Sequence, residues 1–346
     1  MHDNCKQKLA ILALLVAAPV FGQTPDITIS GTTTGNVYGN STALDGSDHG
    51  ATPSGKFLLI TTGGNVSGTK DAYGAYTDTP FEDATGNAVT LEGNGTVSSN
   101  VIGGRSTTGA AADNTVTISG GSVSQHVFGG YSATGAVTGN TVTISGGTVS
   151  QNVFGGYSDS DSATGNTVTI SGGLVSGDVF GGRSVSDAAT GNTMTISGGS
   201  VSGSVYGGYS DSDSATGNTV TISGGTVTGN VFGGRSISDA ATGNTVTISG
   251  GSVSGDVFGG YCSSSCSDVF TDNTLNLKTP GLTVARLGGF EYLNFYLPTT
   301  TFTAGSTLLT VTGTADLTDG ASRSSTVNVG INGASSPLQE GDQIIL

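Results

Sequence analysis

From residue 114 to residue 262 apolar and polar positions return every 26 residues. In the unit opened by Asn140, Val142 and Ile144 alternate with Thr141, Thr143 and Ser145, then a Gly-Gly pair leads into Thr148-Val149-Ser150 and Val153-Phe154. Strict alternation places the aliphatic side chains on one side of a strand and the hydroxyls on the other. The pattern therefore predicts three short β-strands per unit, separated by Gly-Gly turns and by loops of Gly, Asn, Asp and Ser. The anchor Asn-Thr-Val-Thr-Ile-Ser-Gly-Gly begins at Asn114, Asn140, Asn166, Asn192, Asn218 and Asn244, and Met194 is its single departure. One unit holds too few apolar side chains to fold alone, so the copies must bury them by stacking. The expected fold is all-β, a parallel β-solenoid, and the general preference of parallel crossovers makes it right-handed.

Worn anchors extend the stack on both sides. Ile27-Thr28-Ile29-Ser30-Gly31, Leu59-Ile60-Thr61-Thr62-Gly63-Gly64 and Asn87-Ala88-Val89-Thr90-Leu91 precede the regular repeats, and Asn273-Thr274-Leu275-Asn276-Leu277 follows them. About nine or ten coils at the spacing of paired strands make a rod ~45 Å long. Residues 23–84 read as degenerate N-terminal coils, 85–279 as the regular solenoid, and 280–346 as a β-rich C-terminal capping and junction region where the period vanishes and Phe290, Tyr292, Phe295 and Tyr296 cluster. Residues 1–22 read as a signal peptide: Lys6 and Lys8 precede an apolar run, Leu9 to Phe21, with cleavage expected after Gly22.

Sixty glycines and 10% charged residues suit narrow coils with tight corners, and no Gly-X-Y period points to collagen. The formal net charge of −15 argues against nucleic acid as a partner. Cys262 and Cys266 lie four apart in the loop of the last regular coil, and in an exported protein they are expected to form a disulfide that pins one loop.

Because the period stacks like on like, the candidate sites are ladders. One edge carries Arg105, Tyr131, Tyr157, Arg183, Tyr209, Arg235 and Tyr261, where guanidinium groups and rings interleave and where a carbohydrate or protein has something to grip. A hydroxyl ladder runs through Thr117, Thr143, Thr169, Thr195, Thr221 and Thr247 beside the Thr115 to Thr245 rank, and it resembles the ice-binding face of antifreeze solenoids, although Ser119 to Ser249 occupy the next outward rank. Phe128, Phe154, Phe180, Tyr206, Phe232 and Phe258 form an aromatic rank whose direction, inward or outward, the pattern leaves open. The Asn anchors are expected to bond along the axis at the first corner of each coil. Asp161, Asp187, Asp213 and Asp239 share one loop position, but the loops lack the nonapeptide of calcium-binding β-rolls, and no metal or other cofactor is expected. The loops alternate, Tyr157-Ser158-Asp159 returning at Tyr209 and Arg183-Ser184-Val185 nearly unchanged at Arg235, so the unit of duplication is 52 residues.

The run Ile144-Ser145-Gly146-Gly147-Thr148-Val149-Ser150-Gln151-Asn152-Val153-Phe154-Gly155-Gly156-Tyr157 resembles repeats in the passenger regions of bacterial autotransporters, the type V secreted surface proteins. Leu287-Gly288-Gly289-Phe290-Glu291-Tyr292-Leu293-Asn294-Phe295-Tyr296-Leu297-Pro298 and Gly341-Asp342-Gln343-Ile344-Ile345-Leu346 are similar to the segments between such repeats and the membrane anchor. The resemblance implies a secreted, outer-membrane-associated rod that acts as an adhesin or spacer toward a host protein, a glycan or a neighbouring cell. It also implies a C-terminal membrane β-barrel, so the chain is expected to be either a fragment of a longer polypeptide, the favoured reading, or a barrel-less relative. An ice-binding or carbohydrate-binding solenoid is the second reading. A polysaccharide-degrading β-helix is the third and weakest, since catalysis needs carboxylates or bases clustered at a break in the repeat, and only eight basic residues remain after removal of the signal. Catalytic residues are not expected.

Overall fold

The architecture, seen in a computed structural model that describes residues 24–40, 53–264, 266–298, 307–320 and 322–332, is a parallel β-solenoid of about nine turns. The expected signal segment and the tail Gly341 to Leu346 lie outside the described residues. Each coil runs across three faces. In the coil opened by Asn140, Thr141–Ile144 and Thr148–Val149 lie on a first, hydroxyl-bearing face, Val153–Ser158 on a second, aromatic face, and Ala163–Thr164 on a third, short face. Like strands of successive coils pair in parallel: Thr141 with Thr167, Val142 with Val168, Thr143 with Thr169 and Ile144 with Ile170.

The register reaches well beyond the perfect repeats. Ile29, Ile60, Leu91 and Ile118 follow one another in the same inward rank at intervals of 31, 31 and 27 residues. At the other end Leu277 pairs with Phe295 and Phe295 with Val329, so the hydroxyl-face sheet continues into the region where the sequence period is lost. Tyr292–Pro298 and Thr326–Asn332 are thus further rungs of the stack.

Val142, Ile144, Val149, Val153 and Ala163 are fully buried, and their equivalents repeat this in every regular coil. Burying each Val or Ile is worth ~1.5–3 kcal/mol relative to leaving it in water. Gly147 makes the bend between Thr141–Ile144 and Thr148–Val149 with φ of 77°, a conformation that strains most other residues, and Gly121, Gly173, Gly199, Gly225 and Gly251 do the same in their coils.

The second Gly-Gly pair has a different task from the one its composition suggests. Gly155 and Gly156 do not separate strands; they lie inside Val153–Ser158. The ladder pairs Phe128 with Phe154 and Gly130 with Gly156, skipping the first glycine of each pair. This unpaired position, present in both strands, resets the inside–outside alternation, so Phe154 and Tyr157, three apart, meet on the same outer side. A side chain at Gly156 would stand 2.5 Å from Asn166 Nδ2, so the glycine is the space into which the Asn ladder packs.

That ladder runs unbroken from Asn87 to Asn273, every member essentially inaccessible to solvent. Asn140 shows the arrangement. Its backbone N–H and its Nδ2 both donate to Asn166 Oδ1, at 3.0 and 2.9 Å, and Nδ2 also donates to Ala111 O at 2.9 Å. One amide therefore ties three successive coils.

Replacing Asn166 with Ala leaves two buried donors of Asn140 without an acceptor, each costing ~1–3 kcal/mol. We expect N166A to lower the urea midpoint by the equivalent of about 2 kcal/mol or more, and Gly156→Ala to destabilise comparably by crowding the same amide. Unchanged midpoints for both would show that the ladder does not hold the coils together.

Candidate functional site

The aromatic face carries two layers outside the aliphatic core. The first is a stack of rings: Phe128, Phe154, Phe180, Tyr206, Phe232 and Phe258 lie nearly parallel at centroid separations of 4.9, 4.9, 4.7, 5.0 and 5.8 Å. These rings point away from the core filled by Val153, yet Phe154, Phe180 and Phe232 are only 4% exposed. The open question of inward or outward is resolved by a cover.

The cover is the Tyr/Arg ladder. Every residue of the expected set, Arg105, Tyr131, Tyr157, Arg183, Tyr209, Arg235 and Tyr261, falls in one in-register, half-buried rank, and the rank continues to Tyr76. Arg105 sits between Tyr76 and Tyr131 at 5.4 and 5.0 Å from the ring centroids, Arg183 between Tyr157 and Tyr209 at 5.5 and 5.1 Å, and Arg235 between Tyr209 and Tyr261 at 5.2 and 5.6 Å. Tyr131 and Tyr157 stack directly, 5.5 Å apart. Tyr157 and Tyr209 also stand edge-on over the Phe layer. The ring faces are therefore taken up by neighbouring coils, and what the ladder offers outward is hydroxyl groups and guanidinium edges.

Tyr131, Arg183 and Arg235 already have partners on the next coil. Tyr131 Oη donates to Asp159 Oδ2 at 2.7 Å, and Arg183 Nη2 meets Asp211 Oδ2 at 3.1 Å. Burial, reinforced by Asp159, pushes the Tyr131 phenol up to about 12, so it stays protonated as a donor. Among the described residues, the Nε atoms of Arg105, Arg183 and Arg235 are buried without a hydrogen-bond partner.

Two more ladders flank the rings, and the residue-by-residue reading missed both. Ser106, Ser132, Ser158, Ser184, Ser210 and Ser236 follow the Tyr/Arg position and are buried. Ser158 Oγ donates to Gly135 O at 3.0 Å and accepts from Asp161 N at 3.0 Å. The regular Tyr-Ser or Arg-Ser dipeptide was the available signal. Cys262 takes this rank, paired with Ser236, and the disulfide to Cys266, Cα–Cα 5.9 Å, replaces the serine's grip on the loop.

On the other flank a side chain of one coil accepts from the backbone N–H of the equivalent residue in the next. The series passes from Asn36 through Asp71, Asn100, His126, Asn152, Asp178, Ser204 and Asn230 to Asp256, which pairs with Arg286. Its residue types vary from coil to coil, and this hid it from a search for identical letters. The Asp161, Asp187 and Asp213 carboxylates each take the N–H of the following residue of their own loop, and among the described residues no three His, Cys, Asp or Glu side chains cluster as metal ligands do.

The hydroxyl face carries the expected ladder Thr117, Thr143, Thr169, Thr195, Thr221 and Thr247 in strict register, beside the Thr115 to Thr245 rank. At the C-terminal end Asn276, Asn294 and Asn328 continue the Thr117 rank as a chain of side-chain hydrogen bonds. Further on, Arg323 packs over Phe270 and bonds Asp268 and Asp319, latching the last loops together. Burial works against the Asp268 charge, but hydrogen bonds from Thr271, Phe270 and Arg323 hold its pKa down at about 2.

No known protein family, curated protein or solved structure matches this chain.

In the Tyr/Arg rank no two guanidinium groups are adjacent. Like charges about 5 Å apart repel by roughly 1 kcal/mol in water and by more at a partly shielded surface. Tyr209→Arg would place three in a row, and we expect it to destabilise by about 2 kcal/mol, with partial recovery in 0.5 M salt, while Tyr209→Phe changes little. Equal midpoints for Y209R and Y209F would remove the charge argument.

His126 Nδ1 accepts from Asn152 N at 3.2 Å, which requires an unprotonated Nδ1, and burial lowers its pKa. Its contribution is therefore complete above the ordinary histidine range of ~6.5 and is lost as pH falls through the lowered folded value. The gap in melting temperature between wild type and His126→Asn should narrow or reverse from pH 7.5 to pH 5. A constant gap would mean that this proton is not linked to folding.

Proposed function

We propose that this β-solenoid is an exported, non-catalytic rod, a passenger-like surface element that acts as a spacer or adhesin. One observation carries the reading: the Asn, Ser, ring and mixed polar ladders are continuous through the regular coils, so their polar side chains serve coil-to-coil cohesion. A solenoid enzyme needs a local break at which acids and bases converge. Arg286 and Arg323, the basic side chains outside the Tyr/Arg rank that make ion pairs, are both engaged with carboxylates of neighbouring loops. The Cys262–Cys266 bond favours an oxidising compartment and so agrees with export through residues 1–22. The autotransporter resemblance rests on the quoted repeat and tail residues, and it supplies the cell-surface location and the expectation of a membrane barrel. An adhesive role would fall to the outward edge of the Tyr/Arg rank, toward a protein or glycan.

The test is to express the chain in a Gram-negative host and follow its location and N terminus by mass spectrometry. Export is expected to yield a mature protein beginning at Gln23 with Cys262 and Cys266 oxidised. Retention in the cytoplasm with residues 1–22 intact would refute the reading. Immobilised protein is expected to bind cells or a glycan array, and Arg183→Ala with Arg235→Ala to weaken that binding while leaving the fold intact. Binding unaffected by the double variant would exclude this edge as the adhesive surface.

A further inference from the structure

Coil-to-coil cohesion does not account for the hydroxyl face. Across six coils it repeats Thr-x-Thr on in-register strands from Thr115–Ile118 to Thr245–Val253. Of the twelve threonine hydroxyls, only that of Thr247 has a partner within the protein among the described residues, Asn276 Nδ2 at 3.3 Å. Elsewhere the coils use their buried Asn and Ser side chains in ladders; here a whole rank and its neighbour are left to the exterior.

The face is also free of charge, on a chain whose net charge is −15. The outward positions of these strands and of the adjoining Ser122, Thr148, Leu174, Ser200, Thr226 and Ser252 rank hold only Ser, Thr and Leu. The nearest ionisable groups in the serine rank are Glu92 and Lys278, one residue past Leu91 and Leu277, at its two ends. Charges hold water in radial shells that suit no lattice; hydroxyl and methyl groups in rows do not.

The array repeats in two directions, ~4.8 Å along the axis from strand to strand and ~6.7 Å along each strand between alternate residues, over a length of ~25 Å. A folded protein or a soluble glycan has no such period in two dimensions, whereas a crystal surface does. Crystalline polysaccharide would be met by exposed ring faces, and the ring faces of this chain lie on another side and are occupied by neighbouring coils. The strand spacing lies close to the oxygen repeat of hexagonal ice, and Thr supplies both a hydroxyl and a methyl at every lattice point. We propose that this face binds ice, with crystalline water as its ligand. The proposal is independent of the rod reading, and either can fail alone.

The experiment is ice-affinity partitioning of the purified full chain, frozen slowly beside a dissolved protein that ice excludes. The chain is expected to enrich in the ice and to slow recrystallisation. Thr169→Tyr, whose ring holds the flanking rows off a flat surface, should lower partitioning about tenfold or more, while Ser212→Tyr, on an exposed loop, should leave it unchanged. Circular dichroism checks that each variant keeps the β-fold, and Thr169→Lys takes the place of T169Y if that variant unfolds. Exclusion of the wild type from ice, full partitioning by the Thr169 variant, or enrichment on crystalline cellulose in place of ice would each overturn the proposal.

Discussion

In a parallel in-register stack, the nearest neighbour of each side chain along the axis is its own counterpart one coil away, ~4.8 Å distant. Every rank must therefore tolerate contact with itself. Val and Ile do so as core, and Phe does so as a column of parallel rings. Asn does so best among polar residues, because a primary amide both donates and accepts and can bond its own copy. The composition of the chain follows from this self-contact rule more than from any binding site.

Guanidinium groups in the half-buried Tyr/Arg rank fit the rule poorly, and the 52-residue duplication keeps them apart. A single-coil repeat containing Arg would line guanidinium groups up with one another. With two coils per unit, Arg183 and Arg235 fall opposite Tyr and find Asp211 or Ser263 on the following coil. The same alternation converts a repulsive column into a cation–ring sandwich, each contact worth ~0.5–1 kcal/mol where exposed. In this rank the longer period keeps like charges apart as well as recording a duplication.

The solenoid, its period and the direction of the aliphatic side chains were legible because they depend on alternation and identity, which a sequence displays directly. The Asn ladder was legible for the same reason. The role of Gly155 and Gly156 was not, since glycine marks turns and bulges alike, and only the paired strands reveal that the pair shifts the alternation and brings Phe154 against Tyr157. The ladder through His126 was hidden because its positions share a function, accepting one N–H, without sharing a residue type. The continuation through Phe295 and Val329 was hidden because intervals of 18 and 34 residues replace the period of 26 while the register survives.

The two long polar ladders run in opposite senses. In the Asn ladder the backbone N–H of one coil is received by the following coil; in the ladder through His126 the N–H of the following coil is received by the one before. A coil is thereby clasped from above and from below, and each of its open faces presents a mixture of donors and acceptors. The two opposed ladders stop together at the C-terminal end of the regular coils, where Arg286 closes one and Asn273 the other, so that the last regular coil has both of its clasps filled by residues of the irregular region.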